Sequence, residues 1–117
     1  MKINEAAKQL RTSAWTLRYY EQVGIMAPVA RTSGMRDYTA TDIAQIKTIL
    51  DLRDCGVTID EIKQLQAENS VAGQCQILTT QAAELRAQIA QLQDSLERLE
   101  TKITRLPTQT LQVNGQR

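Results

Sequence analysis

Apolar residues recur at helical spacing along most of the chain, and polar residues between them mark where helices begin and end. The first apolar face consists of Ile3, Ala6, Ala7 and Leu10. Asn4 belongs to a residue type that caps helices, so it is predicted to cap this one. The helix is expected to end near Arg11 and Thr12.

A second short helix is predicted directly after the first, with Ser13 accepting a hydrogen bond from its unpaired backbone amides. Its inward face is expected to carry Ala14, Leu17 and Tyr20. Its outward face carries Trp15, Thr16, Arg18 and Tyr19. An arginine can fork onto phosphate or a guanine edge, a threonine can reach phosphate or base, and aromatic rings can stack. Two short helices in tight succession indicate a helix-turn-helix. The alternative is an ordinary surface helix.

A small β-wing is predicted after the second helix. Gly24 is placed to end that helix in the left-handed conformation. A turn at Ser33–Gly34 lies between Arg31 and Arg36, and Tyr38 returns the chain. The wing would present arginines to a nucleic-acid backbone, whereas the alternative is a solvated charged loop.

Two more helices complete the predicted globular domain, residues 1–68. Thr39 or Thr41 can cap the third helix, which should end at Gly56. Its apolar face comprises Ile43, Ile46, Ile49, Leu50 and Leu52. Thr58 and Glu61 have the spacing of a capping box and begin a fourth helix that packs on the third.

The second half of the chain carries a heptad pattern. From Leu78 to Leu106 the apolar positions alternate steps of four and three residues, which predicts a coiled-coil helix over 70–106. One exposed helix cannot bury such a stripe, so a second copy of the chain is the expected partner. The predicted contacts are Leu85, Ile89, Leu92, Leu96, Leu99 and Ile103. Residues 107–117 are predicted to be a flexible polar tail, without a separate effector domain.

The charges beside the heptad stripe favour an antiparallel pair. A parallel arrangement gains no contact between opposite charges, whereas an antiparallel one brings Arg86 opposite Glu100 of the second copy. An exposed pair of this kind contributes only ~0.3 to 0.5 kcal/mol, which can bias direction without holding the dimer together.

Composition narrows the class of protein. With 117 residues, no phenylalanine and no histidine, the chain is expected to be mostly all-α, with one small core. Net charge is only +1, but residues 8–36 contain five basic residues and one acid, so a local excess of positive charge lies in the predicted DNA-binding region. No signal peptide or membrane span is predicted, so the protein is expected in the cytoplasm. No cofactor or metal is expected, and an enzyme is the least expected class.

Several of these motifs together resemble the MerR family of bacterial transcription regulators. They are residues 16–21 (TLRYYE), Gly24-Ile25, the arginine-glycine-arginine-tyrosine wing, and Leu52-Arg53 followed by residues 56–62 (GVTIDEI). The resemblance covers about the first 68 residues. It implies a winged helix-turn-helix and a homodimer bound to double-stranded promoter DNA, with RNA polymerase acting at the promoter that the regulator distorts.

Residue by residue, the resemblance implies DNA contacts by Ser13, Trp15, Thr16, Arg18, Tyr19, Arg36, Tyr38 and Arg53. Two positions depart from the family pattern: Trp15 stands where a basic or polar residue is common, and Met35 where the wing often has tyrosine. Both can shift sequence preference. Phosphate contacts should supply affinity and register, whereas Trp15 and Thr16 are better placed to discriminate bases.

The chain offers one candidate sensor residue, Cys55. The segment Arg53-Asp54-Cys55-Gly56 resembles a subgroup of the family proposed to sense aldehydes or other electrophiles through one cysteine. The alternative is a buried structural cysteine. Cys75 lies on the apolar stripe and is expected to pack there. The other candidate functions are a small architectural or recombination-directing winged-helix DNA binder, and a coiled-coil interaction or adaptor protein.

Overall fold

The computed structural model describes residues 1–107, which form five helices and one two-stranded hairpin. In chain order these are α1 (Ile3–Leu10), α2 (Ala14–Val23), β1 (Arg31–Thr32), β2 (Met35–Arg36), α3 (Ala40–Asp54), α4 (Ile59–Ala67) and α5 (Val71–Arg105). The predicted architecture of a mostly helical chain with a small wing and a long C-terminal helix is confirmed. Of the predicted tail, residues 108–117 lie outside the described residues.

The chain divides into two compact units, Met1–Leu78 and Thr79–Arg117. The first unit includes the opening turns of α5 and so extends beyond the bound at residue 68 that the sequence suggested. None of the helices described within residues 1–107 combines the length and the apolar character that crossing a bilayer requires.

The first helix begins earlier than its sequence suggested. Its cap residue is Lys2, in an extended conformation and without a side-chain capping bond, rather than Asn4. The Lys2 carbonyl accepts from the Ala6 amide at 2.9 Å, which places Asn4 inside the first turn and lets Ile3 pack against the core. The predicted end is confirmed: Arg11 adopts the left-handed conformation, with φ 56°, and closes the helix.

The bounds of α2 follow the predicted signals. The Ser13 hydroxyl accepts a hydrogen bond from the Thr16 amide at 3.0 Å, and Gly24, with φ 87°, ends the helix. Leu17 and Tyr20 are buried, as the helical spacing predicted. The exposed face of α2 therefore carries the residues expected to contact DNA.

The hairpin pairs Arg31 with Arg36 and Thr32 with Met35 in antiparallel register. Ser33 and Gly34 form its turn with positive φ values of 53° and 79°. Both central residues of a tight hairpin turn of this hand need positive φ, which serine tolerates poorly and glycine readily. The short wing predicted from the sequence is thus confirmed.

Both remaining helices of the first unit begin with a capping box. The Thr39 hydroxyl and the Asp42 carboxylate exchange hydrogen bonds with each other's backbone amides, which settles the choice between Thr39 and Thr41. Thr58 and Glu61 do the same at the start of α4. The core of this unit comprises Ala6, Ala7, Leu17, Tyr20, Ile25, Met26, Val29, Tyr38, Ile46, Ile49, Val57 and Ile62.

The long helix α5 follows a hydrogen-bonded turn. The Glu68 carboxylate accepts from the Ser70 amide and hydroxyl, and the Ser70 hydroxyl accepts from the Gly73 amide at 3.0 Å. The bond from the Ser70 amide is the main cause that lowers the pKa of Glu68. Beyond residue 78, the predicted heptad stripe leaves large apolar side chains exposed at Ile89, Leu92, Leu96, Leu99 and Ile103.

Candidate nucleic-acid interface

A stacked aromatic pair occupies the exposed face of α2. The rings of Trp15 and Tyr19, one helical turn apart, have centroids 5.2 Å apart and planes that differ by 7°. Trp15 is nevertheless 66% exposed, whereas Tyr19 is partly buried against the core. The pair therefore presents a flat apolar surface to solvent, held by contacts within the helix itself.

An open groove runs between this face and the wing. It has a volume of about 380 Å³ and is lined by Trp15, Arg18, Tyr19, Glu21, Gln22, Pro28 and Arg36. The exposed Arg18 supplies positive charge beside the aromatic pair. Aromatic and guanidinium groups around one concave surface suit the bases and phosphates of nucleic acid.

An ion pair ties the wing to α2. The Arg36 Nε donates to the Glu21 Oε1 at 3.1 Å, and both side chains are mostly buried. Glu21 was not among the site residues expected from the sequence, although it is the one acid between Lys8 and Arg36. This isolated negative charge in a basic stretch is the feature of the sequence that could have identified Glu21 as a site residue. Arg36 is thus placed on the wing as expected, with its Nε engaged inside the protein.

A second set of contacts fixes the base of the wing. The N-terminal ammonium of Met1 donates to the Asp37 Oδ1 at 2.6 Å, and the Thr32 hydroxyl donates to the Asp37 Oδ2 at 3.0 Å. The bond from the N-terminal ammonium is the largest cause that lowers the pKa of Asp37, followed by the bond from Thr32. These contacts hold the end of the hairpin against the chain's first residue.

Tyr38 does not lie on the exposed surface of the wing. Its side chain is only 3% exposed and belongs to the core, and its hydroxyl has no hydrogen-bond partner among the described residues. Burial is the main cause that raises the pKa of this phenol. The resemblance had placed Tyr38 on the wing as a DNA-binding residue, whereas in the structure its side chain lies in the core and its backbone bonds to Met1.

The remaining candidate residues have internal roles as well. The Ser13 and Thr16 hydroxyls lie 2.8 Å apart and hydrogen-bond to each other at the start of α2. The exposed Arg53 donates from Nη1 to the Val57 carbonyl oxygen at 2.9 Å, across the turn between α3 and α4. Four of the candidate DNA-binding residues line the groove, namely Trp15, Arg18, Tyr19 and Arg36, whereas Arg53 is not among its lining residues.

Residues 1–69 match the family model described as the MerR HTH family regulatory protein. This match covers more than half of the chain. The chain belongs to the MerR family. A second model of the same family, described as MerR, DNA binding, matches residues 43–105. The two matches together span the winged helix-turn-helix and the long helix.

Curated MerR relatives are similar over the N-terminal part. AdhR of Bacillus subtilis is 46% identical over 63 residues, which cover 53% of this chain and 45% of AdhR. HmrR of Sinorhizobium medicae is 40% identical over 68 residues, covering 57% of this chain and 46% of HmrR. The chain thus spans about half the length of the curated relatives it matches.

Solved MerR structures resemble the fold over most of the chain. HiNmlR, a MerR family regulator lacking the sensor domain and bound to promoter DNA, aligns with TM-score 0.70 and 26% identity, covering 88% of this chain and 86% of HiNmlR. The EcmrR–DNA complex in EcmrR-RPo aligns with TM-score 0.68 and 32% identity, over 89% of this chain and 38% of EcmrR.

In this MerR chain the candidate sensor Cys55 lies at the C-terminal cap of α3 and is exposed. The alternative of a buried structural cysteine is therefore wrong for the single chain. Cys75, near the start of α5, is exposed too. Within residues 1–107, no three side chains of His, Cys, Asp or Glu are grouped so that they could hold a metal ion.

Proposed function

We propose that the protein is a transcriptional regulator that binds promoter DNA as a homodimer. One observation carries this proposal: the exposed Trp15–Tyr19 stack and Arg18 line one groove with the wing residue Arg36. A recognition helix places such residues in the major groove while a wing contacts the adjacent backbone. The promoter complexes of HiNmlR and EcmrR support the same assignment for this chain.

Arginine contacts to phosphate are the expected source of affinity. Each phosphate that the protein neutralises releases counterions, so binding must weaken linearly on a plot of log affinity against log salt. The basic residues of α2 and the wing supply this attraction, whereas the net charge of the whole chain is only +1. Affinity should therefore depend on local rather than total charge.

Arg18→Gln provides the test of this proposal. We expect the variant to bind a promoter fragment more weakly, with a salt slope smaller by about 2 because the proposed dimer loses one phosphate contact in each copy. Fluorescence anisotropy at several salt concentrations provides the measurement. Arg105→Gln is the matched control, since it removes the same charge at the end of α5. Salt-independent binding by the unmodified protein, or equal slopes for both variants, would contradict the proposal.

The dimer is proposed to form through the α5 stripe in antiparallel orientation. Five large apolar side chains from Ile89 to Ile103 are exposed in the single chain, and a partner helix would cover them. An antiparallel pair places Arg86 near Glu100 of the second copy. In a parallel pair these positions would be about 21 Å apart along the helix, because an α-helix rises 1.5 Å per residue.

Cysteine cross-linking distinguishes the two orientations. In a background without Cys55 and Cys75, mixed Arg86→Cys and Glu100→Cys chains should form a mixed disulfide under mild oxidation. Each variant alone should stay uncross-linked, because an 86–86 or a 100–100 disulfide requires the parallel orientation. Absence of the 86–100 disulfide from the mixture of folded dimers would contradict the antiparallel orientation.

The regulator is further proposed to act on RNA polymerase by distorting the promoter. DNA distortion by the bound dimer should change the electrophoretic mobility of circularly permuted promoter fragments, and transcription with purified polymerase should change when the protein is added. Unbent promoter DNA in the complex, with unchanged transcription, would contradict this step.

We further propose that the protein responds to electrophiles through Cys55. Exposure of this thiol at the α3–α4 turn makes it accessible, and an adduct there would disturb the turn that the Arg53–Val57 hydrogen bond closes. In a Cys75→Ser background, an electrophile should modify Cys55 in the folded protein, as detected by mass spectrometry. Normal electrophile-induced transcription from a Cys55→Ser variant would contradict this role.

A further inference from the structure

We propose that Trp15 selects thymine, by packing its indole ring against the C5-methyl group of a thymine in the major groove. This inference rests on the proposed DNA-binding function and deepens it, since it names the chemical group on the DNA that the recognition helix contacts. It predicts that the preferred operator carries an A·T pair at the same place in each half-site.

The exposure of the ring points to an apolar partner. Trp15 is 66% exposed although Tyr19 covers one of its faces, so a large apolar area remains to be buried on binding. Base edges in the major groove present donors, acceptors and one apolar group, the thymine methyl. Packing of the indole against a purely polar edge would desolvate that edge without replacing its hydrogen bonds.

The stack also prepares Trp15 for this contact. Its plane lies within 7° of the Tyr19 ring at a centroid distance of 5.2 Å, which restricts the indole before DNA binds. A restricted side chain loses less conformational entropy on binding. Trp15 is in the first turn of α2, the part of a recognition helix whose side chains contact base edges.

Trp15 has a second way to recognise a base, through a hydrogen bond from its indole ring. The indole Nε1–H is a donor and could bond to a purine N7 or a carbonyl oxygen in the major groove. Trp15→Phe separates the two modes, because phenylalanine keeps an aromatic ring and lacks the N–H donor. Thr16→Ser tests whether the methyl group of Thr16, and not Trp15, contacts the thymine, since it removes the threonine methyl and keeps the hydroxyl.

The experiment begins with selection of DNA by the full-length protein from a library of random-sequence duplexes. Each thymine of the enriched sequence is then replaced singly by deoxyuridine, which removes only the methyl group and preserves base pairing. At the contacted position we expect Kd to rise about fourfold, the value for burying one methyl-sized group. Replacing the equivalent thymines of both half-sites together should raise Kd about fifteenfold.

The variants assign this effect to a side chain. Trp15→Ala should bind thymine and deoxyuridine duplexes equally at that position, whereas Trp15→Phe and Thr16→Ser should retain the difference. If the indole N–H made the contact instead, the unmodified protein would bind thymine and deoxyuridine duplexes equally and Trp15→Phe would weaken binding to both, which would overturn the proposal. A difference that persists in Trp15→Ala, or disappears in Thr16→Ser, would overturn it as well.

Failure of the inference is distinguishable from failure of the proposed function. Tight, salt-dependent binding of a selected duplex with no sensitivity to deoxyuridine at any position would overturn thymine recognition and leave DNA binding intact. An unenriched library together with salt-independent binding would contradict the DNA-binding function itself, and the inference with it.

Discussion

The Tyr38 hydroxyl is buried in the core of the N-terminal unit without a partner among the described residues. A buried donor that makes no hydrogen bond costs about 1 to 3 kcal/mol relative to its solvated state. The ring itself contributes favourably, because its apolar area is removed from water. The side chain is therefore placed for packing, and its polar atom opposes the stability of the fold.

Tyr38→Phe should keep the packing and remove the unsatisfied hydroxyl. We expect the free energy of unfolding, measured with urea, to stay the same or rise by up to about 1 kcal/mol, with DNA affinity unchanged. Tyr38→Ala is the control for ring packing and should cost about 3 to 5 kcal/mol. Weaker DNA binding by Tyr38→Phe at normal stability would instead show that the Tyr38 hydroxyl contacts DNA.

The turn between α1 and α2 contains local strain at Arg11. A non-glycine residue in the left-handed region costs about 1 to 2 kcal/mol, and Arg11 has φ 56°. The conformation persists because the Arg11 and Thr12 amides close α1 by bonding to the Lys8 and Ala7 carbonyls. This closure sets how α2 follows α1 and hence where the exposed aromatic pair is presented.

Arg11→Gly should relieve that strain. We expect the free energy of unfolding to rise by about 1 kcal/mol, seen as a higher urea midpoint with an unchanged slope. Arg11→Ala is the matched control: it removes the same side chain but retains the Cβ, so it should not stabilise the protein. Equal stabilisation by both substitutions would show that the arginine side chain, and not the backbone conformation, was the source of the cost.

The capping box at the start of α4 makes that helix sensitive to acid. The Thr58 amide donates to the Glu61 carboxylate at 2.9 Å, and this bond is the main cause that lowers the pKa of Glu61 below its usual 4.5. A carboxyl group with a lowered pKa in the folded state stabilises the fold above its ordinary pKa. This contribution is lost as the pH falls through the lowered value.

Glu61→Gln should therefore weaken the acid dependence of stability. An amide can still accept from the Thr58 backbone but does not titrate, so the fall in unfolding free energy between about pH 5 and pH 3 should be smaller than in the unmodified protein. Urea unfolding at both pH values provides the measurement. Thr58→Ala keeps the backbone amide and removes the hydroxyl, and it should lower stability at both pH values. An unchanged acid dependence in Glu61→Gln would rule out this contribution.

The apolar stripe of α5 is unpartnered within the single chain, and in the proposed assembly it determines whether two recognition helices act together. Leu92 is 71% exposed and occupies the middle of the stripe. A helix of this length with an uncovered apolar face gains stability chiefly from a partner. DNA affinity should then depend on the dimer, because two linked half-site contacts bind far more tightly than one.

Leu92→Lys should dissociate the proposed dimer. We expect a monomer by sedimentation at micromolar concentration, lower helicity, and DNA affinity reduced by about 100-fold or more. Gln91→Lys adds the same charge on the neighbouring, outward-facing position and should preserve the dimer and its affinity. A Leu92→Lys protein that remained dimeric would place the interface elsewhere on the molecule.

The sequence by itself determined the elements whose causes are local. The capping box at Thr58, the glycine at the end of α2 and the heptad spacing of α5 each act within a few residues, so the helices and the wing were predictable. The sequence left the cap of α3 open between Thr39 and Thr41. The Trp15–Tyr19 stack also joins residues four apart on one helix. Their placement on the exposed face followed from helical periodicity.

Tertiary structure alone decided how distant segments meet. The burial of Tyr38 depends on hydrogen bonds with Met1, 37 residues away, and the Arg36–Glu21 pair joins the wing to α2 across 15 residues. Such contacts depend on the folding of the intervening chain, and no local pattern encodes them. Thus the sequence identified arginine and tyrosine on the wing, but packing decided that Arg36 lines the groove and Tyr38 lies in the core.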